Sequence, residues 1–264
     1  MFDLRSVQVE TTNLCNGACV FCPHEQAKVL GTMSEELYRK IVDETATLPS
    51  VETFLPLGHG EPFMDPDILP RIEYARGKLD EKILIKVFTN GVALNEDHIQ
   101  RLNELKHVEL SISVNGIYPG TRKAVMGQDD TQHVLEMWHY AREVGLPVVG
   151  TMVAAEGVSM VEQQEFVLMG GCVITLSNWA GSVWEYHNVG PNQLMCDRAK
   201  SFTYIMWTGQ VALCCFDPFG KVNFGNVGQN TIKELWETDK RQYVCFEMEY
   251  GDRTKLELCK DCVK

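Results

Sequence analysis

Six short apolar or β-branched runs recur along the first two thirds of the chain, at residues 6–11, 53–57, 83–88, 108–114, 147–154 and 173–179. Helical patterns fall between them. One covers 34–47, with Ser34 as N-cap and Leu37, Ile41 and Val42 on one face. Another covers 95–105, with Ile99, Leu102 and Leu105 at helical spacing. A third covers 130–144, with Val134, Leu135, Trp138 and Ala141 inward and Gly145 as the stop; a weaker one spans 161–169. Strand, helix and strand in repeated alternation predict an α/β fold, a parallel sheet with helices outside, open or curled toward a barrel. Six such units are two short of a complete eight-stranded barrel.

Beyond residue 181 the pattern changes. The stretch 182–195 reads as a linker or loop. Two strand-like runs follow, 202–207 and 210–213, with Thr208-Gly209 as a hairpin turn. A short helix is expected from Thr231, where Thr231 and Glu234 have capping-box spacing. The expected domains are therefore 1–181 and a smaller cysteine-bearing appendage, 182–264.

The ten cysteines respect that division. Cys15, Cys19 and Cys22 follow the first strand, and none occurs again before Cys172. The others are Cys196, Cys214, Cys215, Cys245, Cys259 and Cys262. No apolar run is long enough to span a membrane, and nothing at the start reads as a signal peptide, so the expected location is cytoplasmic and reducing. There, ten cysteines are not expected to form a disulfide framework. The formal charge of −12 disfavours a nucleic-acid partner, because phosphate contacts need an excess of Lys and Arg. Two metal sites account best for the thiols.

The first is the CxxxCxxC loop. Parallel α/β folds bind ligands at the carboxyl ends of their strands, where this loop lies. Three clustered thiols without a nearby fourth suit zinc poorly. They suit a [4Fe–4S] cube with one iron left open. This loop, with Phe21 before its third cysteine, resembles that of the radical S-adenosylmethionine (SAM) enzymes. Gly58-His59-Gly60-Glu61-Pro62 is similar to the family's GGEP motif, with His59 in place of a glycine. Thr89-Asn90-Gly91 is similar to its TNG turn. Ser111-Ile-Ser113-Val-Asn115-Gly116 stands where relatives carry an SxDG-like sequence, with Asn115 replacing the acid.

The resemblance implies a partial (β/α)6 TIM-like barrel. It also implies a cluster on Cys15, Cys19 and Cys22 whose open iron chelates SAM, an electron cleaving SAM to a 5′-deoxyadenosyl radical, and a reductant such as flavodoxin or ferredoxin. The SAM-binding residues it implies are Phe21, Gly58, His59, Gly60, Glu61, Pro62, Thr89, Asn90, Ser113 and Asn115.

For the second set, Cys196, Cys214, Cys259 and Cys262, thiol chemistry alone leaves a closed [4Fe–4S] cluster and a structural zinc equally open. The run from Cys196 through Gly-x-Val-x-x-Cys214, Gly225-Asn-Val and Leu235-Trp236 to Cys259-x-x-Cys262 resembles the SPASM/twitch appendage of radical SAM enzymes. That implies one auxiliary [4Fe–4S] cluster in the twitch form, a layout similar to the family's aminocyclitol dehydrogenases. Cys215 is the alternative to Cys214 as ligand. The expected reaction is hydrogen-atom abstraction followed by oxidation of an aminocyclitol or sugar-like alcohol to a ketone, with the auxiliary cluster accepting the electron.

One alternative is an epimerase or a peptide- or sugar-modifying enzyme with a thiol hydrogen donor, for which Cys172, Cys215 and Cys245 are the candidates. The barrel begins within ten residues of Met1, so no added N-terminal domain for a leader peptide is expected. Another alternative is an iron–sulfur or zinc protein for electron transfer or sensing.

Otherwise Cys172 and Cys245 are expected to be buried packing residues. Asn178, Trp179, Trp184, Tyr186 and His187 are candidates for a polar, aromatic-walled pocket. Arg122 and Lys123 are candidate anion binders. Asp217 is a cluster neighbour or a turn residue, and His24 is expected to face solvent. No general base stands out.

Overall fold

A computed structural model describes residues 4–175, 179–180, 196–250, 252–260 and 262. Its elements, in chain order, are β1 (Ser6–Val9), α1 (Glu35–Ala46), β2 (Thr53–Leu55), α2 (Ile68–Lys78), β3 (Leu84–Thr89), α3 (Glu96–Asn103), β4 (Val108–Ser113), α4 (Thr121–Met126), α5 (Thr131–Glu143), β5 (Val148–Val153), α6 (Met160–Leu168) and β6 (Cys172–Ile174). The C-terminal part adds α7 (Arg198–Ser201), β7 (Phe202–Ile205), β8 (Gln210–Ala212), β9 (Asn223–Asn226), α8 (Ile232–Trp236) and α9 (Asp239–Glu249).

β1 to β6 pair in sequence order, all parallel. Alternation along each strand decides what each face meets. A side chain added at Gly150 of β5 would strike the Trp138 indole of α5 at 2.7 Å, so that face looks at the helices. Its register partner Ile112, with Leu110, Ile85, Val87, Phe54, Val7 and Val9, is fully buried there. Against them lie Ile41, Ile72, Ile99, Leu102 and Val134, each adding about 1.5–3 kcal/mol of burial. The opposite face is the inside of the barrel and carries Gln8, Lys86, Glu109, Ser111, Ser113 and Thr151. Lys86 and Glu109 are register partners on β3 and β4 and form a 2.9 Å ion pair.

The caps read from the sequence are present. The Ser34 hydroxyl accepts from the Leu37 amide at 3.3 Å, and Thr231 and Glu234 form a reciprocal capping box. The elements α2, α4, α7 and β9 lay outside the sequence reading. α2 contains Pro70 at its third position, where the missing N–H costs nothing because the first turn has no intrahelical acceptor. α4 and β9 are too short to show a period.

The appendage joins the barrel through its first strand. β7 pairs in parallel with β1, Ser6 to Phe202 through Val9 to Ile205, so its hairpin continues the barrel sheet. The described sheet has nine strands in the order β6-β5-β4-β3-β2-β1-β7-β8-β9. β8 runs back against β7, with Ala212 beside Tyr204, so Cys214 leaves the sheet toward the end opposite the first cysteine loop. Among the described residues, no helix is long and apolar enough to cross a membrane.

Candidate active site

The cysteine loop leaves β1 at Glu10 and is tied down mainly by its backbone. The Ala18 and Val20 amides donate to the Met126 and Val125 carbonyls at 2.9 and 3.0 Å. The Asn13 amide group donates to the Val29 carbonyl at 2.8 Å and accepts from the Gly31 amide at 2.7 Å. His24 is half-buried rather than solvent-facing, with Nε2 2.7 Å from the Asn13 carbonyl.

The thiols converge. A methyl group placed on Gly17 would lie 3.6 Å from both the Cys15 and the Cys19 sulfur, so the two flank one small space. Burial first, then the charges of Cys22 and Cys15, push the Cys19 thiol up to about 12. Burial also pushes up the Cys22 and Cys15 thiols, and three thiols raised in this way need a strongly withdrawing metal centre to be held as thiolates. Among the described residues, no three His, Cys, Asp or Glu side chains close round a point as the ligands of one ion do. The separation suits a polynuclear cluster, whose corners spread their thiolates.

The 58–62 loop crosses directly over β1. A Cβ at Gly58 would fall 2.3 Å from the Glu10 side chain, and one at Gly60 2.4 Å from the Thr12 carbonyl oxygen. Both positions exclude side chains, whereas position 59 has room for a histidine, whose Nδ1 lies 3.7 Å from Glu10 Oε1. Glu61 is buried and fully engaged. Its Oε1 accepts from the Phe63 amide at 3.1 Å and the Thr89 hydroxyl at 2.7 Å, and its Oε2 from the Asn90 amide at 2.6 Å. Burial pushes its carboxyl up against the lowering effect of those donors. Pro62 opens the single turn that follows.

Asn90 donates to the Asn16 side chain at 2.6 Å and so joins the Thr89-Asn90-Gly91 turn to the cysteine loop. Asn115, at φ 50°, accepts from the Val153 amide at 2.7 Å and donates to the Met126 sulfur at 3.3 Å. The structure therefore brings the loops of Cys15–Cys22, Gly58–Pro62 and Thr89–Gly91 together. It commits the side chains of Glu61, Thr89, Asn90 and Asn115 to bonds within the protein. Ser113 ends β4 on the inner face, and Phe21 offers its carbonyl to the Trp179 indole N–H at 2.8 Å.

Arg122 is a clamp rather than an open anion site. Its fully buried guanidinium donates to the Ser113 and Val114 carbonyls at 2.7 Å, to Asp130 at 2.5 Å and to the Asn90 carbonyl. Lys123 pairs with Asp129 at 3.3 Å on the surface.

In the C-terminal part, Cys196, Cys214, Cys259 and Cys262 line one pocket with Leu213, Phe216, Met248 and Leu258. Cys215 is not in that lining. Its carbonyl lies 3.0 Å from His59 Nε2 and its sulfur 3.1 Å from Arg198 Nη1. Burial pushes the Cys214 thiol up, and the charges of Cys215, Cys259 and Cys196 add to that. Four thiols facing one apolar space fit a closed cluster, which needs no other donor. No cysteine forms a disulfide among the described residues.

Asp217 is a turn residue, accepting from the Lys221 and Val222 amides at 2.8 and 2.9 Å. Cys245 is buried, its thiol 3.0 Å from the Ala199 carbonyl. Cys172 is exposed on β6, against the expectation of burial. Among the described residues β6 is the last strand of the sheet and has no strand neighbour beyond it. Asn178, Trp184, Tyr186 and His187 lie outside the described residues. Trp179 packs edge-on to His59 and Phe216, with ring centroids 5.0 and 5.5 Å away.

Two functional-looking residues escaped the sequence reading. Glu10 is buried at the end of β1, accepting from the His59 amide at 3.0 Å and the Trp207 amide at 3.2 Å. The Tyr204 hydroxyl also donates to it at 2.7 Å. The signal for Glu10 was its place two residues after Gln8, on the inward register of β1. Tyr204 carried none.

Against known proteins, residues 9–169 match the family model described as the radical SAM superfamily, and residues 196–263 match SPASM, an iron–sulfur cluster-binding domain. A SAM-dependent 2-deoxy-scyllo-inosamine dehydrogenase from Niallia circulans is 24% identical over 262 residues, 97% of this chain and 91% of the relative. The crystal structure of BtrN in complex with AdoMet and 2-DOIA superposes with a TM-score of 0.67 at 18% identity, covering 100% of this chain and 95% of that one. That of SuiB from Streptococcus suis bound to the precursor peptide SuiA gives 0.72 at 15% identity, covering 90% and 66%.

Proposed function

Because this chain belongs to the radical SAM superfamily, we propose that it oxidises a secondary alcohol of an aminocyclitol or sugar-like molecule to a ketone. The division at residue 181 is part of this reading, with the radical chemistry in 1–181 and the electron acceptor in 182–264.

Cys15, Cys19 and Cys22 would hold the SAM-binding [4Fe–4S] cluster, and Cys196, Cys214, Cys259 and Cys262 the auxiliary one. When bound, the first cluster and SAM supply a primary carbon radical that removes a hydrogen atom from the substrate, and the second takes up an electron. The chain's own residues do the positioning. Glu61 locks the 58–62 loop to the Thr89–Gly91 turn, and Asn90 locks that turn to the cysteine loop, so the surface that receives SAM is preset. The backbones at Gly58, Gly60 and Pro62, with Phe21, Ser113 and Asn115 beside them, would form its walls. The polar inner face, with Gln8, Ser111, Ser113, Thr151 and the Lys86–Glu109 pair, supplies donors and acceptors suited to a hydroxylated substrate. A flavodoxin or ferredoxin is the expected reductant.

The observation that carries this reading is the second thiol set, four cysteines lining one apolar pocket apart from the first. An alcohol radical needs an electron acceptor, and a sealed cluster supplies one. The test uses aminocyclitols deuterated at the carbinol carbon, incubated anaerobically with SAM and dithionite. Deuterium in 5′-deoxyadenosine together with a ketone product is expected. Deuterium transfer with return of an epimerised alcohol would contradict the oxidation and bring forward a thiol donor among Cys172, Cys215 and Cys245.

A further inference from the structure

We propose that His59 is a positioning residue of the second iron–sulfur site, gripping Cys215 so that Cys214 faces the pocket and donating a hydrogen bond that sets the potential of the cluster held there. The proposal rests on reading Cys196, Cys214, Cys259 and Cys262 as cluster ligands. It extends that reading to a residue on the opposite part of the chain.

Cys214 and Cys215 lie in a turn closed by the Asp217 amide on the Cys214 carbonyl at 2.9 Å, and of the two only Cys214 joins the pocket lining. What decides between them is what holds Cys215. Its carbonyl lies 3.0 Å from His59 Nε2, and its thiol lies 3.1 Å from Arg198 Nη1. Arg198 is itself seated over the Phe216 ring, 4.9 Å from its centroid. A carbonyl can only accept, so His59 Nε2 carries the hydrogen and donates. Cys215 is thus held on two sides and kept out of the lining that Cys214 joins.

The ring that does this is braced as a device for aiming one N–H. Nδ1 lies 2.8 Å from the Tyr204 hydroxyl, which in turn donates to Glu10 at 2.7 Å. Glu10 also accepts from the His59 backbone amide, so the residue is fixed at its main chain and its side chain by one carboxylate. Trp179 packs against the ring edge-on at 5.0 Å. Glu10, His59, Tyr204 and Cys215 come from β1, the loop after β2, β7 and the loop after β8. Their contact is possible only because β7 pairs with β1. A glycine at position 59 could keep only the backbone bond to Glu10. A donor aimed at the carbonyl of the residue beside a cluster ligand adds positive potential near the cluster and raises its midpoint, favouring electron uptake.

The experiment uses the full chain with Cys15, Cys19 and Cys22 replaced by Ala, reconstituted with iron and sulfide, so that one cluster remains to be titrated by redox potentiometry with electron paramagnetic resonance. His59→Leu is expected to lower the midpoint potential at unchanged iron content. His59→Gln, which keeps an N–H donor, is expected to recover most of the shift. Tyr204→Phe, which removes only the brace, is expected to produce a smaller fall in the same direction, and it decides the matter if His59→Leu does not fold. An unchanged midpoint in both His59→Leu and Tyr204→Phe would overturn the proposal while leaving the cluster reading intact. Failure of the triple variant to bind about four irons would overturn the cluster reading, and the proposal with it.

Discussion

The two cysteine sites are built by opposite means. Cys15, Cys19 and Cys22 are half-buried, as are Cys196, Cys214 and Cys262, but polar bonds from Asn13, Asn16, Asn90 and the carbonyls of Val125 and Met126 define the N-terminal loop. The C-terminal set faces Leu213, Phe216, Met248 and Leu258, and apolar packing defines it. The difference matches two tasks. A site that must admit a polar ligand to one metal corner needs an open, hydrogen-bonded rim, while a site that only accepts electrons is better sealed from water. Separate thiol sets also make the two sites separable by mutation.

The largest expected effect comes from breaking the open site. Cys19→Ala should remove about half of the eight irons that two cubanes contain and abolish reductive SAM cleavage, read by iron analysis and by chromatography of 5′-deoxyadenosine. Breaking the sealed site should leave cleavage standing. Cys214→Ser is expected to lose the second set of about four irons and all ketone product, yet still yield 5′-deoxyadenosine. Cys215→Ser should retain both clusters, and a loss of iron there equal to that of Cys214→Ser would reverse the ligand assignment.

Smaller effects test the polar rim. Arg122→Leu strands three carbonyls and Asp130 without their donor, and is expected to cost about 3–5 kcal/mol in chemical denaturation. Glu61→Gln keeps an acceptor but sets an amide against the Asn90 or Thr89 donor. A loss of about 1–3 kcal/mol, with weaker SAM binding by equilibrium dialysis, is expected.

The smallest effect is a pH dependence where the two halves meet. Burial pushes the Glu10 carboxyl up, but the hydrogen bond and charge of His59, its backbone amide and the Tyr204 hydroxyl outweigh it and hold Glu10 below the ordinary value of 4.5. Its contribution to stability is therefore present above about pH 4.5 and is lost as pH falls through the lower folded-state value. The difference in thermal midpoint between wild type and Glu10→Gln should narrow as pH falls below that window. A constant difference would mean that Glu10 acts by packing alone.

Much of the fold was legible because periodicity is local. The six parallel strands and the helices at 35–46, 96–103, 131–143 and 160–168 carry their pattern within one window of sequence. α2 was hidden because Pro70 and Gly77 look like breakers, although one sits in the first turn and the other near the end. The position of the cysteines was legible, since their spacing is also local. What holds them was not. Glu10, His59, Tyr204 and Cys215 meet through the parallel pairing of β1 with β7, across nearly 200 residues of chain, and no short-range signal encodes a parallel partner. Arg122 looked like an anion site for a related reason, because its four carbonyl and carboxylate partners come from separate strand ends. The glycines at 58 and 60 announced a close approach, but only the crossing over Glu10 and Thr12 explains why a histidine can stand between them.

The central claim is that one chain holds an open and a sealed cluster. Mössbauer spectroscopy of the chain reconstituted with ⁵⁷Fe, beside the variant with Cys15, Cys19 and Cys22 all replaced by Ala, tests it most directly. The account predicts about eight irons per chain in the first and about four in the second, all as [4Fe–4S]. About four irons in the parent chain and none in the variant, with zinc bound in its place, would contradict it.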